Sequence, residues 1–508
     1  PADVLASIAA DGGGYVDLNG DGHWWQPSSR VFYSPSATTP AAEKSAALEH
    51  FYLPRRAVDP YGNGATATFD VHDLVPVQTT DALGNSTTAR HDYRVLLPVL
   101  VTDPNGNRSA AAFDALGFVA GTAIMGKATE SLGDSLSGFA AGLTPAEIDG
   151  FFTADDPHDL AGALLGTATM RIVYDPLRFF NSRQASPGDP AQWLPAFAAT
   201  IVRETHVSDL AQGQTSKTHL AFGYCDGFGR TVQKKVQAEP GPAVADGPVI
   251  DPRWVGSGWT ICNNKGKPVR QYEPFFSQLP AKGHQFEFGV QAGVSAILIY
   301  DPLGRVVATH HPNQTYEKLV FDAWHQHSWD ANDTVLVNDP AADVDVGGYL
   351  GLLPASDLSP TWYAQRINAN FGPQEQDAAV KAAAHANTPG VTHLDALGRP
   401  FLTIADNGAA GRYATRVELD IQGLQRAVSD ALDRKVMVYD YHMLGGSIHK
   451  SGMEAGQRWN LDDVTGKTIR AWDSRGHNHR NEYDALRRLT GLFVQGTDTV
   501  NSDPRTLT

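Results

Sequence analysis

The chain has 508 residues, a formal net charge of −16 at neutral pH, 42% hydrophobic and 19% charged positions, 49 glycines and 31 prolines. That is too much apolar material for a disordered polyanion, and more chain than the ~250–300 residues at which one compact core stops growing. The acidic balance argues against nucleic acid as a partner, and no apolar run reaches the ~18 residues of a membrane span.

In chain order, Pro1 opens without methionine, basic start or apolar leader and Thr508 closes it, so the chain reads as an excerpt of something longer. Residues 1–35 read as the tail of a module. Within them Asp17, Asn19 and Asp21 followed by Gly22 match the first half of a calcium loop, with oxygen ligands at alternate positions and a glycine for the sharp turn. Ser28 stands where such a loop needs a bidentate glutamate, so an EF-hand is not expected and an acidic surface turn is the competing reading.

Residues 36–340 read as a β-rich region with a helical insertion around 127–166. Thr144, Pro145 and Glu147 supply an N-cap, a first-turn proline and a capping-box partner, and Asp156-Pro157 opens a second helix through Leu165. Hairpins are expected where Leu220–Cys225 turns at Asp226–Arg230 into Thr231–Gln237, and where Trp259–Asn263 turns into Pro268–Tyr272. Residues 341–390 read as a helical insertion, with helices over Pro360–Ala369 and Pro373–Ala386.

Residues 391–508 carry a repeat. Its word is an aromatic or aliphatic residue, Asp, two variable residues, Gly and often Arg: Leu394-Asp395-Ala396-Leu397-Gly398-Arg399, and earlier Tyr300-Asp301-Pro302-Leu303-Gly304-Arg305 and Phe113-Asp114-Ala115-Leu116-Gly117. Degenerate copies follow at Asp420 with Gly423, at Asp440 and at Asp484, and with Asp463 they recur roughly every twenty residues. The aspartate accepts a bond from the backbone two residues on, and the glycine supplies the positive φ of the turn exit. Asp301, Gly304, Asp395, Gly398, Asp420, Gly423 and Asp440 are therefore expected at hairpin turns of a continuous sheet.

Catalytic signatures fail on inspection. Gly466-Lys467-Thr468 lacks the first glycine of a phosphate loop, because position 461 is Leu461, and Gly133-Asp134-Ser135-Leu136-Ser137 lacks the last glycine of a nucleophile elbow. The pairs Asp155/Asp156 and Asp462/Asp463 are what a solvated face supplies in a chain with 56 acidic residues. His325 and His327 share a strand face that suits zinc or copper, but no acidic or cysteine partner stands at a helpful spacing. Trp324 and Trp329 suit either packing within a thin sheet wall or stacking on sugars. Cys225 and Cys262 read as buried thiols of a protein folded in a reducing cytoplasm; whether they pair stays open.

The aspartate-turn words resemble Rhs, or YD, repeats. Three longer stretches, Gly12–Asp17 through Val31–Pro35, Phe321–Thr334 and His385–Pro400, resemble the B component of bacterial Tc insecticidal toxin complexes. The resemblance implies a mainly β fold of Rhs-type antiparallel hairpin strips wound into part of a hollow shell, with small helical insertions and the tail of a β-propeller at residues 1–35. It implies a non-enzymatic wall with no cofactor unless calcium binds. Its partners would be the C component with its enclosed effector and, through an upstream propeller, the A-component pore. It would be made in the bacterial cytoplasm and then secreted or released. A surface-displayed Rhs adhesin that binds glycans through exposed tryptophans is the alternative. At ~16 Å² of sheet per residue, the chain makes a wall of about 5,000 Å², the area of a sphere of radius ~20 Å. A ~250-residue guest has an outer radius near 23 Å, so one such chain forms only part of a shell.

Overall fold

Each strand in this chain is too short to bury a core alone, and each is followed by a turn that sends the chain straight back. The consequence is a meander. The computed structural model describes residues 12–496 and the backbone of Arg505–Leu507. The remaining parts of the expected N-terminal module and C-terminal repeats, residues 1–11, 497–504 and 508, lie outside the described residues. Among the described residues the fold is mostly antiparallel β. A 14-stranded sheet runs from Arg30–Phe32 to Phe275–Phe276 and a 17-stranded sheet from Thr260–Cys262 to Arg505–Leu507, with neighbours in both following chain order.

The two sheets share one long hairpin. Its distal part pairs Thr260 with Gln271 and Ile261 with Arg270 in the second sheet. Its proximal part pairs Val255 with Phe276 and Gly256 with Phe275 in the first. Between them the Tyr272 N–H donates to the Trp259 carbonyl at 3.0 Å. At this junction the two arms approach so closely that a Cβ on Gly258 would fall inside the Tyr272 carbonyl. The two sheets are thus consecutive parts of one strip.

Helices cover the strip locally. Thr144 and Glu147 form the expected capping box at the start of Pro145–Thr153, which is followed by His158–Leu165. Phe152 stacks on Phe197 at 4.8 Å and Phe151 on Phe222 at 5.6 Å, and these rings with Trp254 form the larger core. In the region 341–390 the helices are Gly347–Leu350, Ala355–Leu358, Trp362–Arg366 and Pro373–Ala383. Val346, Leu350 and Leu358 from this region pack on Ala308 and Tyr316 of the second sheet. The expected helices over Pro360–Ala369 and Pro373–Ala386 are both shorter: the first starts after its N-cap Thr361 and ends at Arg366, the second ends at Ala383, and Ala369 and Asn387 just beyond them sit at positive φ. Helices at Pro40–Glu49 and Arg178–Ala185 were not expected from the sequence; Thr39 and Pro40 supplied an unread cap-and-proline start for the former.

The strip closes on itself. The Val464 N–H donates to the Gly13 carbonyl at 2.9 Å. Tyr15 Oη donates to the Asp462 carbonyl at 2.6 Å, and Gln26 Nε2 to the Val464 carbonyl at 2.9 Å. The Arg487 guanidinium lies 4.5 Å from the centre of the Tyr61 ring. The early turns therefore sit on the late ones. Roughly two dozen strand spacings of ~4.8 Å separate the two along the strip, a circular path of about 110 Å, or about 35 Å across.

Candidate functional site

The chemistry of this chain is concentrated in its turns. Asp395 shows the full arrangement. Its Oδ1 accepts from the N–H groups of Leu397 and Arg399, both at 2.9 Å. Its carbonyl accepts from the Gly398 N–H at 2.9 Å, and its Oδ2 receives Nε and Nη2 of Arg399, each at 2.7 Å. Gly398 has φ +75°, a region that a side chain disfavours. The arginine is a clasp that closes the turn from outside. Its backbone N–H and then its guanidinium hold the Asp395 carboxyl below the usual carboxylate range.

Asp301 is clasped by Arg305 in the same way with Gly304 at φ +81°. Asp420 caps Gln422 and Leu424 with Gly423 at φ +89°, but has no arginine clasp because Leu424 occupies that position. Asp440 is a correction: it lies inside the strand Lys435–Tyr441, opposite His449. The acceptor of the following turn is His442, whose Nδ1 accepts from the Leu444 N–H at 3.1 Å with Gly445 at φ +87°. Asp440 has no glycine three residues on; it binds Arg426 Nη2 at 3.0 Å and His449 Nδ1 at 2.8 Å instead. Turns of the same design at Asp59, Asp81, Asp103 and Asp473 were missed in the sequence, although each has glycine three residues later.

The remaining candidates are engaged structurally. Asp17 Oδ1 accepts from the Gly20 N–H at 2.7 Å and its Oδ2 from the Gly22 N–H at 3.0 Å, while Asp21 caps His23 at 3.0 Å and Asn19 reaches Asp21 at 3.4 Å. His325 and His327 do share a face, and the register places His393 directly opposite His325, a neighbour that no sequence spacing signals. Among the described residues no group of three or more His, Cys, Asp or Glu is placed to hold one metal ion. Trp324 is 54% exposed, whereas Trp329 is half-buried, stacked on His327 and beneath the Lys318 ammonium. Cys225 and Cys262 are unpaired and half-buried, not fully buried as expected, because each ends a strand beside a turn.

A groove on the second sheet is lined by Asp330, Asp333 and Asp406. Asp330 caps Asn332, Asp333 holds the N–H and hydroxyl of Thr388, and Asp406 binds Gly408 and Arg412. Asp134, from the incomplete nucleophile elbow, is buried and fastens two loops through Thr169, the Val207 N–H and His206 Nδ1 at 2.7 Å. Asp463 is buried under the seam, where it caps Thr465 and Lys467 and meets Arg487.

Fold and site together define a wall: a single β-strip, pinned at its turns and closed by a seam of glycine, tyrosine and arginine contacts. No protein-family model and no curated protein sequence matches the chain. Its fold does match solved structures of Tc toxin B and C components along its whole length. The crystal structure of TcdB2-TccC3 aligns with TM-score 0.68 and 21% identity over 100% of this chain and 22% of that one. The Photorhabdus luminescens Tc holotoxin pore aligns with TM-score 0.69 and 19% identity over 100% of this chain and 24% of that one. The crystal structure of TcdB2-TccC3-Cdc42 aligns with TM-score 0.67 and 20% identity over 100% and 24%. The chain therefore has the fold of a Tc toxin B–C component and spans less than a quarter of the length of those chains.

Proposed function

We propose that the chain is a structural segment of a Tc-type toxin complex, a strip of the β-sheet shell that encapsulates a toxic effector and helps deliver it. The observation that carries this reading is the seam, which returns the late turns to the early ones and makes a curved wall out of a flat meander. The fold likeness to B–C structures over the full length supports it. Its partners on this reading are the C component with its enclosed effector, and the A-component pore through an upstream propeller whose tail is the segment 1–35. Its role is mechanical, with no catalytic residue assigned, and it is made in the bacterial cytoplasm before release. Electron microscopy of the full-length protein co-expressed with its C-component partner tests it: a hollow particle is expected, and a solid or filamentous one overturns it.

The exposed ring of Trp324 favours a second reading, glycan binding by a surface-displayed adhesin. Glycan-array binding that Trp324→Ala abolishes would support that reading, and an array without binding would exclude it.

A further inference from the structure

The strands His325–Trp329 and Gly390–Leu394 pair antiparallel although residues 330–389 separate them along the chain. Their register sets His325 directly opposite His393. One step along, the Leu394 N–H donates to the Trp324 carbonyl at 2.7 Å, which makes 324 with 394 a hydrogen-bonded pair and 325 with 393 a non-hydrogen-bonded one. In pairs of that second kind the facing side chains stand closest, with Cα atoms about 4.5 Å apart. The two imidazole rings accordingly meet at 4.8 Å between centres, with 78° between their planes.

That separation is the one a shared metal ion requires. With metal–nitrogen bonds of ~2.1 Å and an angle of roughly 90–110° at the metal, two imidazole centres lie about 4.5–5.2 Å apart. His327, on the same face, stands 6.2 Å from His325 and falls outside that range. His325 is also prepared as a ligand. Asp322 Oδ1 accepts from the N–H groups of Trp324 and His325, both at 2.6 Å, and its Oδ2 faces His325 Nδ1 at 3.0 Å. A carboxylate only accepts, so Nδ1 carries the proton and Nε2 keeps its lone pair. Metal-binding histidines are oriented by the same kind of carboxylate partner. His393 is half-buried beside Phe401, and among the described residues its ring nitrogens have no hydrogen-bond partner.

We propose that His325 and His393 form a cross-strand chelate for one divalent metal ion of the zinc(II) and copper(II) class, with Asp322 holding His325 in its ligating tautomer. Imidazole nitrogen suits these ions, whereas calcium and magnesium take oxygen. Two protein ligands leave the remaining positions to water or to a donor from another molecule, so the site is open and its ion exchangeable. The ion staples together the two strands that carry region 330–389. The site stands independently of the shell reading.

The test is calorimetric titration of the metal-free, full-length protein with zinc(II), together with electron paramagnetic resonance of the protein holding one equivalent of copper(II). His325→Gln and His393→Gln each bind one zinc ion fewer than the wild type, and His327→Gln loses none. Asp322→Asn weakens the affinity for that ion about tenfold or more. With free zinc at ten times the Kd, hydrogen-exchange protection of the Gln326 and Thr392 amides rises about tenfold in the wild type and does not change in His393→Gln. Retention of the ion in His325→Gln or His393→Gln, its loss in His327→Gln, or a wild type that binds no zinc overturns the chelate. Where a glutamine variant melts early without metal, the wild-type copper spectrum decides instead: coupling to two imidazole nitrogens supports the site, and coupling to one or none overturns it.

Discussion

Asp463 and Asp395 make nearly the same turn, but only Asp463 is buried beneath the seam, so replacing each by alanine separates the two roles. Asp463 Oδ1 accepts from the Thr465 N–H and hydroxyl, both at 2.7 Å, and from the Lys467 N–H at 3.0 Å, while Oδ2 meets Arg487. The Asp463 side chain has no solvent exposure and that of Arg487 is 17% exposed. Asp463→Ala thus strands two backbone donors and a buried guanidinium, a loss of about 3–5 kcal/mol that water does not make good. Asp395→Ala removes the same turn bonds at a surface where water replaces most of them. Hydrogen exchange reads the difference. In Asp463→Ala, protection of the Val464 amide, which donates to Gly13, falls by about 100-fold or more, and the segment 13–16 loosens with it. In Asp395→Ala the turn 395–399 loosens only roughly 5-fold, with no effect at residues 13–16. Equal, purely local losses in the two variants would refute the claim that the seam depends on Asp463.

Three further outcomes follow from the same geometry. Gly258→Ala drives a Cβ into the Tyr272 carbonyl and is expected to destabilise the hairpin joining the sheets by about 2–3 kcal/mol in chemical denaturation, whereas Gly227→Ala, with open space around it, is silent. Gly398→Val forces a branched side chain to φ +75° and lowers stability by about 2 kcal/mol, but Gly398→Asn is mild, since Asp433 and Arg487 hold φ +59° and +58° in sibling turns. Two exposed turn carboxyls are depressed, that of Asp322 to about 2 by the His325 side chain and the Trp324 N–H, and that of Asp70 to about 2 by the Tyr93 hydroxyl. A depressed folded pKa gives stability that is present above the unfolded value and lost as pH falls through the folded one. Circular dichroism is therefore expected to show an intact sheet above about pH 4 and its loss between about 4 and 2.

The turns were legible because their causes are local: capping oxygen, positive-φ residue and clasp fall within five residues, as in Asp301–Arg305 and Asp395–Arg399. The same rule explains the miss at Asp440, where His442 is the acceptor and the aspartate merely precedes it. Asp433 and Arg487, which stand where a glycine is expected, blurred the repeat elsewhere. The capping box at Thr144 and Glu147 was readable for the same reason, and so was the stop at Asn387 and Pro389, whereas the positive φ of Ala369 was announced by no residue type.

By itself, then, the sequence determined that this chain is a turn-punctuated meander with local helices, because hairpins and caps are decided by neighbours along the chain. Only the tertiary structure decided that the strip closes. Tyr15 meets Asp462 across 447 residues and Gln26 meets Val464 across 438, and no pattern within either segment specifies the other. That closure turned Val464 from one more exposed turn tip into a buried contact, and Asp463 from one more capping aspartate into the anchor of a seam.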